Sequence, residues 1–129
     1  MHWLGVFLLT PTLLTPTLLA PGFGGEVQVQ EQGACDAACQ NVLQRGCDGG
    51  NPAACHDLGK ILTEEPAASM PGNATRATVV LQRACDKDLA PACHTLAWQY
   101  LRETSAHRDL TRGRDLELKA CKLGTSEAC

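Results

Sequence analysis

From about position 34 onward, apolar residues recur at steps of three and four, the spacing that places them on one face of a helix. Ala54, Leu58, Ile61 and Leu62 form one such set, and Ala77, Val80, Leu81 and Ala84 another. The first predicts a helix over 52–65, with Asn51 as its N-cap and Pro52 at its first position. The second predicts a helix over 74–87. Pro66, Pro71 and Gly72 break the chain between them. A second pair is predicted over 90–103 and 111–123, where Glu117 takes the place of Leu81 and weakens the apolar face. A lone helix over 34–47 precedes the first pair, with Val42 and Leu43 supplying its apolar contacts.

Residues 1–25 have a different pattern. They are almost wholly apolar, while all 25 Asp, Glu, Lys and Arg residues lie after position 25. The apolar stretch 4–20 has the length of a signal-peptide core. Pro11, Pro16 and Pro21 oppose a stable membrane-spanning helix. The expected organisation is an apolar leader or signal peptide over 1–25 and one helical domain over 26–129, with no stable membrane span once the leader is removed. No Lys or Arg precedes the apolar core, a departure from the usual signal.

The cysteines carry the clearest repeat. Cys47–Cys55, Cys85–Cys93 and Cys121–Cys129 are each eight apart, and the pairs recur after 38 and then 36 residues. Each second cysteine follows alanine, and Arg83-Ala84-Cys85 matches Lys119-Ala120-Cys121. Thr75-Arg76-Ala77 matches Thr111-Arg112-Gly113, and Cys55-His56 matches Cys93-His94. A period in this range is the signature of stacked helical units. Small residues at repeated helical positions mark close helix crossings. The first cysteine of each pair ends one helix and the second begins the next, so a turn between them can bring the two sulfurs within bonding range. Cys35 and Cys39 remain: they can pair with each other, or Cys39 can compete for Cys47. Eight cysteines behind an apolar leader point to an oxidising compartment, which makes a periplasmic or secreted location the expectation.

The motif of a basic residue, Ala and Cys, followed by Ala-Cys seven residues later, resembles the Sel-1-like repeat, a relative of the tetratricopeptide repeat, in its bacterial secreted cysteine-rich branch. The resemblance covers about 39–129. It implies an all-α fold, an α/α solenoid of helix–turn–helix units with one disulfide per junction, and a role as adaptor or scaffold. There are departures. The family's Leu-Gly pair is present as Leu58-Gly59 but becomes Leu96-Ala97, and the connection over 64–75 is rich in Pro and Ala instead of carrying the usual glycine turn. The chain stops where another helix should begin: either the array is longer or the last disulfide pins a short tail.

The net charge of −3 gives no case for nucleic acid. Neither zinc nor any other cofactor is expected: Cys-x₇-Cys is a poor match to zinc spacing, and Cys35-x₃-Cys39 lacks a partner pair. Redox catalysis lacks a Cys-x-x-Cys. Members of the resembled branch carry β-lactamase or penicillin-binding labels, so a hydrolase is the alternative expectation. Here Ser69, Ser105 and Ser126 each lack the Ser-x-x-Lys context of that chemistry, and no catalytic residue is nominated. A mitochondrial intermembrane-space relative is opposed by the leader, which is not Arg-rich. Asn73-Ala74-Thr75 is a glycosylation sequon. The leading expectation is a protein or peptide partner on the concave face of the first helix of each unit, with Trp98, Tyr100, His94 and His56 as contacts.

Overall fold

The computed structural model describes residues 35–129; the leader and its cleavage lie outside the described residues. The described chain is helical: α1 (Ala37–Asp48), α2 (Pro52–Thr63), α3 (Asn73–Asp86), α4 (Ala90–Leu101) and α5 (Leu110–Lys122), with 3₁₀ turns at Ala67–Ser69 and Ser126–Ala128. No helix among the described residues is long and apolar enough to cross a membrane.

Side-chain caps start three of the helices. Asp36 accepts from the amide of Cys39, Asn51 from Ala53 and Ala54, and Asp109 from Arg112. Each satisfies amides that the first helical turn leaves unpaired. Two predicted ends move inward. α2 stops at Thr63 and α4 at Leu101, because Glu64 and Arg102 turn to extended backbone. The connection before α3 does contain a glycine turn, with Gly72 at φ 84° immediately before the helix.

Consecutive helices pack on one another, and α2 also touches α4. The core runs through all of them. Leu58, Leu62, Val80, Leu81 and Leu96 are its large buried members, and Ala77, Ala84, Ala92, Ala97 and Ala120 fill the crossings. One predicted core contact fails: Val42 is exposed, while Leu43 packs against the core. Val42 is left largely uncovered by the other helices among the described residues.

The three junctions share one backbone pattern. Gly50 donates to the Cys47 carbonyl and Asn51 to that of Gly46. Asp88 and Leu89 do the same to Cys85 and Ala84, and Gly124 and Thr125 to Cys121 and Ala120. These bonds reverse the chain and bring the flanking cysteines together. Cys47–Cys55, Cys85–Cys93 and Cys121–Cys129 are bonded, with Cα separations of 4.5, 4.6 and 4.9 Å. Cys35 is bonded to Cys39. No cysteine is free.

Polar contacts bind α3 to α1 and α5 to α3 across the intervening helix. Arg76 donates from Nε and Nη2 to Gln44 Oε1 at 3.2 and 2.9 Å, and Arg112 Nη2 donates to Gln82 Oε1 at 2.8 Å. Arg83 Nη1 pairs with Asp48 at 2.8 Å. These contacts give the recurring Thr-Arg and basic-Ala-Cys positions a physical use. Both couple one helix pair to its neighbour.

Candidate functional site

His56 lies on α2 and His94 on α4, 38 residues apart and at the same place in each helix. Because α2 and α4 touch, the two imidazoles open onto one hollow of about 360 Å³. Lys60, Pro91 and Thr95 line it too, and residues 124–127 close its end.

The hydrogen bonds fix much of the site. Thr95 Oγ1 donates its single proton to the Pro91 carbonyl at 2.9 Å, which leaves the oxygen as an acceptor. His56 Nε2, 3.2 Å away, is therefore the donor of that contact. Burial lowers the His56 pKa and the Lys60 ammonium lowers it further, so the ring is neutral near pH 7. His94 Nδ1 lies 2.8 Å from Glu117 Oε1, with both side chains about a quarter exposed (23 and 22 %). The carboxylate only accepts, so Nδ1 carries the proton and Glu117 fixes the plane of the ring. The Trp98 indole stands edge-on to that ring, with centroids 6.4 Å apart and planes at 84°. At 53 % exposure, Trp98 is a surface aromatic and not a core residue.

Three of the four predicted contacts thus share a face. Tyr100 does not. Two positions on from Trp98, it is turned about 200° around the helix. It packs against the core under the Arg112 guanidinium, 5.0 Å from the ring centroid, and borders a separate hollow with Gln82 and Asp86. The structure therefore places it on a different side of α4 from His94 and Trp98.

Glu117 is the residue that sequence reasoning missed. It was expected only to weaken an apolar face, and it holds His94 instead. Its signal was the charge at a repeat position that is leucine in the earlier copy. Lys60, Thr95 and the segment 124–127 were also missed, because they meet only through the approach of α2, α4 and the last turn.

The site offers hydrogen-bonding groups, one cation and an aromatic ring, which suits recognition of a polar chain segment. Ser69 donates to Glu65, and the Ser105 oxygen accepts from the His107 amide. Every cysteine sulfur is bonded to another sulfur, so none is a thiolate ligand. Asn73 of the sequon donates its side-chain amide to the Ala67 carbonyl at 2.9 Å in the first turn of α3. Comparison of the chain with family models, with curated proteins and with solved structures gave no match in any of the three.

Proposed function

We propose that this protein is an exported binding adaptor, built as a disulfide-stapled α/α solenoid of Sel-1-like repeats, which holds an extended peptide segment of a partner protein in the groove across α2 and α4. The observation that carries this reading is the convergence of His56, Lys60, His94 and Thr95 on one hollow, with exposed Trp98 beside it. The groups are of the kind that recognise a backbone and a few side chains: oriented imidazoles, an ammonium and an indole edge. The fold supports the repeat reading through the recurrence of junction hydrogen bonds and disulfides in the same register. The four disulfides support an oxidising compartment, periplasmic or extracellular, where a small alanine-rich core gains from staples.

The test is panning of a displayed peptide library on the oxidised protein, with counter-selection against a Lys60→Ala/Trp98→Ala variant. The expected result is a family of related peptides that the variant no longer retains. Failure to enrich any sequence, or enrichment that the variant matches, overturns the reading.

A further inference from the structure

In each of the pairs α2–α3 and α4–α5, the first helix covers the inner face of the second. In α3 that face is Ala77, Val80, Leu81 and Ala84, all buried. The same register 38 residues earlier in α1 holds Cys39, Val42, Leu43 and Gly46. Yet Val42 is 58 % exposed, where its counterpart Val80 is 1 % exposed. Leu43 and Ile61 form the floor of an open hollow of about 290 Å³, rimmed by Asp57, Lys60 and Glu64.

We propose that this face of α1 docks a helix from a partner protein, seated on α1 as α2 is seated on α3. The argument is continuity with an interface the molecule already builds. α1 ends in the same junction as α3, is bonded to the following helix by the same disulfide spacing, and accepts from α3, through Gln44, the same arginine hydrogen bond that α3 accepts from α5 through Gln82. What it lacks among the described residues is the helix that α3 has. The α2–α3 contact also states what the partner must look like. Leu81 is received by Gly59, with Leu58 and Leu62 buried on either side. Leu43 is the counterpart of Leu81, so the partner helix must place a glycine or alanine opposite it. A leucine precedes that small residue and another follows three positions later. Three turns suffice, as in the 12-residue α2. The rim has two carboxylates to one ammonium, so basic residues at the edges of the partner helix are favoured.

The chain's own α2 is the natural probe. A fluorescent peptide of residues 52–65, with Cys55→Ala, with Glu64→Lys and Glu65→Lys to suit the acidic rim, and with a hydrocarbon staple across positions 53 and 57 to hold the helix, is titrated with the full oxidised protein. The staple removes the helix-nucleation penalty that a short free peptide carries. The expected result is saturable anisotropy. Val42→Asp in the protein and Gly59→Leu in the peptide each weaken it by about tenfold or more, the effect of losing one well-packed anchor. Val42 is exposed, so circular dichroism of that variant stays unchanged. Trp98→Ala leaves the titration unaltered, which separates this surface from the α2–α4 groove. Absence of saturable binding overturns the proposal, and so does binding that neither substitution weakens.

Discussion

Gly59 of α2 and Leu81 of α3 meet with no room between them: a Cβ on the glycine would overlap the leucine's Cγ and Cδ2. Leu81 is completely buried at this crossing. A glycine inside a helix costs about 0.5–1 kcal/mol relative to alanine, so the close approach must return more than that. Gly59→Ala is expected to lower stability by about 1–2 kcal/mol, with overpacking outweighing the better helix propensity. Leu81→Ala leaves a cavity and is expected to cost about 2–4 kcal/mol. The double variant should lose less than the sum, because the new methyl enters the space the leucine vacates. Denaturant unfolding of the oxidised proteins measures all three, and additive losses would refute the coupling.

The second helix pair reverses this arrangement, and the reversal explains a departure visible in the sequence. The counterpart of Gly59 is Ala97 and that of Leu81 is Glu117. With no leucine arriving from α5, no glycine is needed on α4. The hole is instead Gly113 on α5, and the residue that fills it is Leu101 on α4. The helices and their faces were legible because periodicity and caps are local signals. Val42 was misjudged because its burial depends on a neighbouring helix and not on its own pattern. The partner of Glu117 was illegible because His94 lies 23 residues away, and only the α4–α5 packing brings the two together.

A single aspartate sits where the other junctions have glycine. Gly50, Asp88 and Gly124 hold the same place after α1, α3 and α5, with φ of 98, 61 and 112°. Residues with a Cβ pay for that left-handed backbone. The Asp88 carboxylate lies 3.5 Å from Lys119 Nζ, but both groups are well exposed and the pair contributes little. Asp88→Gly is therefore expected to raise stability by about 0.5–1 kcal/mol. Gly50→Ala is expected to lower it by a similar amount. Thermal melts of the oxidised proteins check the pair, and a lower melting temperature for Asp88→Gly would show that its side chain does more than this geometry implies.

The disulfides should differ in how readily they are lost. Cys85 and Cys93 are fully buried, whereas Cys129 is exposed and Cys35 and Cys39 are half-buried. A soluble phosphine should open Cys35–Cys39 and Cys121–Cys129 first and Cys85–Cys93 last. Closing a loop of this size stabilises by about 2.5 kcal/mol in the chain-entropy account. Cys85→Ala/Cys93→Ala should lose at least that much, because it also removes core atoms. Cys35→Ala/Cys39→Ala should lose less, since that bond spans four residues at the start of α1. Timed alkylation with peptide mapping gives the order, and simultaneous opening of all four would contradict it.

His56 should make stability fall with acid in a defined window. Its pKa in the folded protein lies below the ordinary value of 6.5, first because burial penalises the imidazolium and second because Lys60 repels it. Well above 6.5 the ring is neutral in both folded and unfolded chains, and its contribution does not change with pH. As pH falls through that value, the unfolded chain takes up the proton first and gains on the folded one. The loss stops once pH is below the folded pKa and both states are charged. The denaturation midpoint should thus start to drop as pH falls through about 6.5, the ordinary imidazole value, and level off once pH is below the folded pKa. His56→Gln should flatten the drop while keeping a donor for Thr95. Lys60→Ala should shrink it, because the repulsion goes but the burial stays. Equal slopes in the parent and His56→Gln proteins would mean that the folded environment does not disfavour the charged ring.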